Sequence, residues 1–239
     1  MGIDIKSLLM GKAMGGGGGS GGSVIQMHRV GAFGTAACEV ATGIQLAING
    51  YNGKYALISV CHRDTLTAPS GCILLDKSEF TYDEFTQYVS LYKMSINSDS
   101  LSLTFNQASS ARIGATAWVA DADFSLSKIS TGVFGYYMEK YSISAQGLTF
   151  FTFNAPTAQN QYTNIDVAAD ADCAMLCQIP THHYYKNGVW GDEATFQLRH
   201  FTGLVFPNQT TKVWQKNYAN MEFNTPTQGQ IVAYTISAA

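Results

Sequence analysis

Apolar and polar residues exchange places over short runs along this chain, and glycine, proline, asparagine, aspartate and serine separate the runs. The stretch Lys54 to Val119 is the clearest. It opens with Tyr55-Ala56-Leu57-Ile58-Ser59-Val60-Cys61, breaks at the polar His62-Arg63-Asp64-Thr65, and passes the turn-like Ala68-Pro69-Ser70-Gly71 before Cys72-Ile73-Leu74-Leu75. After a polar insert, Gln87-Tyr88-Val89-Ser90-Leu91-Tyr92-Lys93 alternates in character; Ser102–Phe105 and Arg112–Val119 close the block. Short runs of β-branched and aromatic residues between turn formers are the signature of an antiparallel sheet. Alternation of period two sends one set of side chains to a core and the other to the opposite face. The block therefore predicts the backbone of a β-sandwich.

The remainder extends the pattern. Gln26–Val30, Ala37–Val40 and Ile44–Ile48 predict two or three strands, and Asn49-Gly50 and Asn52-Gly53 mark turns on either side of Tyr51. Asp121–Leu126 reads as a loop, Gly132 to Ser144 is aromatic-rich, and Leu148–Phe153 reads as a strand. Ile165-Asp166-Val167 begins another strand, and Cys173–Ile179 a further one ended by Pro180, which cannot donate to a central ladder. Thr181 to Asp192 reads as a long aromatic loop, followed by strands at Phe196–Phe201, Thr211–Asn217 and Gln230–Ile236. No long segment has a helical period, and no clean internal repeat stands out. The expected fold is all-β: one antiparallel, two-sheet β-sandwich of jelly-roll type over 24–239.

Residues 1–23 form a different kind of segment. Ile5 to Met14 is an amphipathic peptide too short for a stable isolated helix. Gly15 to Ser23 has the composition of a flexible linker, with a high ordering cost and nothing to bury. The expected organisation is a Gly-rich tether ahead of the sandwich.

Composition narrows the function classes. At 239 residues with 46% hydrophobic residues the chain can bury a substantial core. Charged residues make up only 13%, against the ~25% of an ordinary soluble domain. The net charge is −3 and no basic patch stands out, so nucleic acid is not an expected partner. No apolar run approaches the ~20 residues that span a bilayer, so no membrane insertion is expected. The N-terminal apolar stretch is too quickly interrupted by glycine to read as an export signal. The five cysteines, Cys38, Cys61, Cys72, Cys173 and Cys177, lack a disulfide-framework spacing and fit assembly in a reducing cytoplasm.

The succession of apolar strand, Pro69-Ser70-Gly71, Ile-Leu-Leu strand and Tyr88–Lys93 resembles a β-sandwich domain of phage and prophage tail proteins. In that family the turn reads Pro-x-Gly-Trp and the next motif resembles Ser-Val-Trp-Tyr-Lys. Here Cys72 stands in place of the tryptophan, and Leu91-Tyr92-Lys93 keeps the aromatic residue and the lysine. Gly229 to Ile236 is similar to the family's closing strand, and Ser7 to Met14 resembles the start of many proteins from phage tail regions. The resemblance implies a virion protein assembled in the bacterial cytoplasm: tail fibre, tail tip or baseplate, with capsid decoration protein or head fibre as the alternative. A carbohydrate-binding module is a further alternative, though it would call for the export signal. Leu8, Leu9, Met10, Lys12 and Met14 would dock the chain to other phage structural proteins. The sandwich, expected to be a homo-oligomer, would contact a host-surface glycan or protein.

Candidate chemistry does not point to an enzyme. Cys173, Cys177, His182 and His183 offer zinc-type ligands, but along one strand the two thiols would stand ~13 Å apart. Neither a metal nor any other cofactor is therefore expected. His62-Arg63-Asp64 follows a strand without a marked nucleophile, and the chain lacks a Gly-x-Ser-x-Gly elbow. Asp83-Glu84, Asp121/Asp123, Asp170/Asp172 and Asp192-Glu193 offer the paired carboxylates a glycosidase needs, yet all read as turn acids. The two Asp-x-Asp pairs lack the rest of a calcium loop. His182, His183, Tyr184, Tyr185 and Trp190 remain as the candidate binding surface, because exposed tyrosine and tryptophan stack on sugars or protein partners.

Overall fold

A computed structural model describes residues 25–34, 41–82, 85–111, 113–134, 140–158, 161–166, 170–186, 189–217 and 229–239. Among these the first half of the chain forms eight strands: β1 (Met27–Gly34), β2 (Ala41–Asn49), β3 (Tyr55–His62), β4 (Leu66–Thr67), β5 (Ile73–Tyr82), β6 (Phe85–Ser95), β7 (Ser100–Ala111) and β8 (Gly114–Ala120). The second half forms eight more: β9 (Phe124–Phe134), β10 (Lys140–Ser144), β11 (Thr149–Ala158), β12 (Gln161–Asp166), β13 (Asp170–Lys186), β14 (Val189–Val205), β15 (Thr210–Asn217) and β16 (Gly229–Ala238). The fold is all-β and antiparallel throughout, as its alternation predicts.

The two halves share one plan. The first builds a five-stranded sheet in the order β1-β8-β3-β6-β5 and a three-stranded sheet β2-β7-β4; the second builds β9-β16-β11-β14-β13 and β10-β15-β12. Adding eight to each strand number converts the first set into the second. The correspondence reaches single residues. Arg29 pairs with Trp118 and Gly31 with Ala117, so Val30 is a bulge; Lys128 pairs with Tyr234 and Ser130 with Ala233, so Ile129 is a bulge at the matching place. Leu57 lies beside Trp118, and Phe150 beside Tyr234. The expected two-sheet sandwich is thus four sheets, and the repeat invisible in the residues is present in the strand order. Strand pairing depends on apolar pattern and turn placement, which many different residues satisfy.

The layers follow from three separate cores. Ile44, Leu46 and Ile48 of β2 and Leu103 and Phe105 of β7 pack on Ala56, Ile58 and Val60 of β3 and Ala115, Ala117 and Val119 of β8. Ile143 of β10 and Val213 of β15 pack on Phe151, Phe153, Ile231 and Ala233 in the second half. Between these lies the central core, where Leu57, Val89, Leu91 and Trp118 of one five-stranded sheet meet Phe150, Leu204, Val232 and Tyr234 of the other. The order of layers is outer, inner, inner, outer. Outer strands alternate between buried and exposed residues, as β2 and β7 do, whereas every residue of β8 is buried.

Contacts across the centre run in both directions. Trp118 in β8 donates its indole N–H to Thr202 Oγ1 in β14 at 2.9 Å. Its counterpart Tyr234 in β16 donates its hydroxyl to Asp76 Oδ2 in β5 at 2.7 Å. Trp118, Phe150 and Tyr234 form a ring series at 6.3 and 6.5 Å between centroids. At the margins Arg29 meets Asp170 at 3.7 Å and Lys128 meets Asp76 at 2.7 Å. Trp118 and Tyr234, and likewise Arg29 and Lys128, occupy matching places and each reaches across the seam, but to partners that do not match, so the two-fold pattern of the strands is only approximate in its side chains.

Three local expectations change. The polar insert after Leu75 is strand: β5 runs to Tyr82 and pairs with β6 as far as Phe85. Its Lys77 and Glu79 are exposed because β5 is a sheet edge, where charge discourages pairing with another chain. Asp121–Leu126 is loop only to Asp123, since Phe124 already pairs with Ala238. The loop from Thr181 to Asp192 is instead the far end of the β13–β14 hairpin, with Tyr184 opposite Gly191 and Tyr185 opposite Trp190. By contrast, Gly50 and Gly53 take positive φ values of 79° and 78°, the turn geometry that both Asn-Gly pairs predict.

Close packing at Gly203 makes a direct test. A methyl group there would lie 2.6 Å from the ring of fully buried Phe151 and 2.9 Å from the Asp170 carbonyl. Gly203→Ala is expected to cost about 1–3 kcal/mol through overpacking, lowering the melting temperature by ~2–4 °C per kcal/mol. Thermal unfolding followed by circular dichroism checks this, and an unchanged melting temperature would contradict the packing.

Candidate functional site

The most chemically suggestive cluster lies inside the central interface. On β11 Phe150, Thr152 and Asn154 face the first half; on β14 His200, Thr202 and Leu204 do so, because alternate residues share a face. His200 Nδ1 lies 2.7 Å from Asn154 Oδ1, and Nε2 lies 2.9 Å from Ser59 Oγ of β3. An amide oxygen only accepts, so Nδ1–H donates to it and Nε2 accepts the Ser59 hydroxyl. Serine, histidine and a polar orienting group in that arrangement form the relay used for nucleophilic catalysis.

This relay is sealed. Ser59, His200 and Asn154 each have 0% of their surface exposed, with Trp118 and Phe150 in the same core. Burial pushes the His200 pKa down to about 3, so the imidazole is neutral and poorly suited to take a proton. A general base must reach substrate as well as nucleophile, and all three of these side chains are fully buried. The relay joins one half to the other. Beside it, Thr202 Oγ1 accepts from Trp118 and donates to Thr116 Oγ1 at 2.8 Å, so one hydroxyl serves as both acceptor and donor across the interface.

His62, the last residue of β3, is buried in the same manner. Its Nδ1 donates to the Asp64 carbonyl at 2.7 Å and its Nε2 accepts from Ser90 Oγ at 2.8 Å. Burial brings its pKa down to about 4. The acids at the β8–β9 turn are turn elements: Asp121 accepts from the Gln26 amide, and Asp123 caps Phe124 and pairs with Lys93 at 2.7 Å. The Lys93 ammonium holds the Asp123 carboxyl below its usual range. At Asp76, burial acts to raise the pKa, but Lys128 and Tyr234 outweigh it and the carboxyl stays depressed.

Other sequence candidates are separated from these. Among the described residues no group of three or more histidines, cysteines or carboxylates converges as a metal site. Cys61 is a free thiol whose pKa is raised by burial, giving it no nucleophilic character. The strand through Cys173 and Cys177 is bulged between Met175 and Cys177, which interrupts regular alternation. The backbone of His182, His183, Tyr184, Tyr185 and Trp190 belongs to the β13–β14 hairpin, and their side chains lie outside what is described. Leu8, Leu9, Met10, Lys12 and Met14, and the pair Asp83-Glu84, lie outside the described residues.

Among the described residues, open clefts reach the surface. One of about 530 Å³ is lined by Met27, His28, Arg29, Gly50, Tyr51, Lys54 and Asp170 and spans both halves. Another, of about 460 Å³, lies between the Ser70-Gly71 turn, the end of β6 and Asp123. Sequence reasoning misses both, since each joins residues far apart in the chain. Only the paired Asn-Gly turns around Tyr51 gave a local sign of the first.

The two buried histidines make stability pH-dependent. With an unfolded pKa near 6.5 and folded values of about 4 and 3, the unfolded chain binds more protons between these limits. Their contribution is complete above pH 6.5 and is lost as pH falls toward 4 and 3. Each is expected to remove ~1–2 kcal/mol by pH 5, read as a lower urea midpoint than at pH 7.5. His200→Gln should flatten that dependence, and an equally steep profile in the variant would reject the assignment. The chain matches no known protein family, curated protein or solved structure.

Proposed function

We propose that this chain is a non-enzymatic structural protein of a phage or prophage virion, associated with the tail and contributing to host-surface attachment by multivalent binding. The observation that carries the reading is the strand order of each half, 1-8-3-6 facing 2-7-4. That order resembles a jelly roll's, differing in that the fifth strand lies at the edge of the first sheet and not beside the fourth. Jelly rolls build viral capsid and lectin domains, so the inference is an analogy of fold. The motif around Tyr88–Lys93 and the docking-type peptide at Leu8–Met14 support the same reading from the sequence. The sealed Ser59–His200–Asn154 relay supports a body built for cohesion over one built for turnover. Several copies on one particle would turn weak contacts into strong attachment, because each later contact forms at high effective concentration.

Immunogold electron microscopy of particles induced from the host, using antibody against residues 24–239, tests the reading. Gold at the distal tail is the expected result. Gold over the capsid would assign the chain to the decoration or head-fibre class, and free protein with unlabelled particles would refute a virion role.

A further inference from the structure

We infer that the cleft between the Ser70-Gly71 turn, the end of β6 and Asp123 is a binding site for an uncharged saccharide, gripped by Lys93 and Asp123. The inference deepens the attachment reading by naming a ligand class for one surface of the body, and it rests on that reading only for the ligand's source.

The cleft's volume, about 460 Å³, falls within the range of small-ligand sites. Its polar centre is anchored from below. The Lys93 side chain is only 16% exposed, and its ammonium donates to Asp123 Oδ1 at 2.7 Å and to the Phe124 carbonyl at 2.8 Å. Asp123 Oδ1 also accepts the Phe124 amide at 2.8 Å. The rim is set as firmly. Gly71 takes a positive φ of 86°, and the Cys72 amide closes that turn on the Pro69 carbonyl at 3.2 Å. Ile96, just before Asn97, has its amide and its carbonyl both bonded to the β2–β3 turn at 2.8 Å. Little ordering is left for a ligand to impose.

Unused polar capacity selects the ligand. An ammonium has three N–H donors, and Lys93 uses two of them. Asp123 Oδ2 accepts no hydrogen bond among the described residues, and the side chain is 44% exposed. A free donor and a free acceptor therefore stand side by side. That pair fits two adjacent hydroxyls, one donating to the carboxylate and the next accepting from the ammonium. Lys93 and Asp123 are the only charged residues lining the cleft among the described residues, and at 2.7 Å they neutralise each other. An ionic ligand would find no unpaired charge here. Ser95 and Asn97 add hydroxyl and amide groups at the rim. Tyr55, packed partly on the central core, and the exposed Ile73 supply apolar surface for the C–H face of a sugar ring.

The molecule contains its own control. Leu57 pairs with Lys93 as Phe150 pairs with Leu204, so Leu204 stands in the other half at the place of Lys93. Leu204 is 2% exposed and belongs to the central core. One step beyond the matching pairs Ala56–Met94 and Thr149–Val205, Leu148 stands for Tyr55 and Phe206 for Ser95. The shared strand plan is thus satisfied by leucine where this cleft has an ammonium. Burying most of a lysine is unfavourable unless its charge is paired, so the Lys93–Asp123 grip is an addition that the fold does not require.

Isothermal titration of the full chain with maltotriose, triacetylchitotriose and trigalacturonate tests the site. Saturable binding of at least one neutral probe is expected, with trigalacturonate binding at least ~10-fold more weakly because its carboxylates would be desolvated beside Asp123. Lys93→Leu should weaken binding by about tenfold or more, while the fold accepts leucine as it does at Leu204. Asn97→Ala, at the exposed rim, should weaken binding severalfold with the melting temperature unchanged, a loss that a merely structural role would not give. No saturable binding of either neutral probe, equally tight binding of trigalacturonate, or indifference to Lys93→Leu overturns the site. If Lys93→Leu unfolds the chain, indifference to Asn97→Ala overturns it instead. Those outcomes leave particle labelling unaffected, and unlabelled particles would leave measured binding in the cleft intact.

Discussion

Burial of the two inner sheets on both faces is the constraint from which the rest of the structure follows. A sheet with one wet face satisfies its side chains by alternation, but one covered on both sides must be apolar, or internally hydrogen-bonded, at every position. β3 meets this with Ala56, Leu57, Ile58, Val60 and Cys61, all fully buried, and with Ser59 and His62 hydrogen-bonded. β8 is likewise buried throughout, and so is the central part of β11, where the Thr152 hydroxyl is the exception to pairing among the described residues. Each half alone would leave one face of its five-stranded sheet open to water, with Trp118 and Leu91 on one side or Phe150 and Tyr234 on the other. The halves therefore complete each other, and apolar area is the main source of their adhesion.

Apolar area alone would not fix how the two sheets sit. Interdigitated hydrophobic faces tolerate sliding more readily than paired polar groups do, and the centre of this interface carries such pairs. Thr202 needs Trp118 and Thr116 at once, and His200 needs Ser59 and Asn154. Correspondence between the halves shows that this device exists on one side only. Thr152 occupies the place of Ser59, and Val89 the place of His200, so the Thr152 hydroxyl lacks the imidazole its counterpart has and, among the described residues, has no hydrogen-bond partner. An uneven distribution of polar contacts gives the pair of halves one preferred alignment, where a perfect two-fold arrangement of apolar residues would leave it less defined.

How much of this was legible follows from the same constraint. Alternation in Ile44-Gln45-Leu46-Ala47-Ile48 and Ser102-Leu103-Thr104-Phe105 identifies strands with one wet face, and those are the outer strands. The unbroken run Tyr55–Cys61 carried the further message that its sheet is covered twice, which a two-sheet sandwich does not use. The strand-order repeat was hidden because equivalent positions hold residues as different as Lys93 and Leu204, or Leu91 and Thr202. The hairpin from Asp170 to Val205 read as a loop at its end because Pro180, paired histidines and glycine are turn residues by composition. The relay was illegible for a different reason: Ser59, Asn154 and His200 come together only when two sheets meet, and local pattern carries no trace of that.

The same geometry explains where a body of this kind has freedom to acquire function. Inner-sheet positions answer to two cores at once, so a change there must satisfy both. Margins of the central interface answer to neither in full: β1 bulges at Val30 and β9 at Ile129, and a bulge locally re-aims the side chains of its strand. Facing them are the starts of β13 and β5, edge strands where charged and apolar residues are equally compatible with the sheet. One seam has become polar and aromatic around Arg29, Tyr51 and Asp170, while the other exposes Ile73, Leu74 and Ile129. Because both seams use the same backbone plan, that difference reflects their side chains alone. The duplicated plan thus places two chemically independent surfaces on a body whose interior resists variation, which suits a protein that must stay folded while its contacts change.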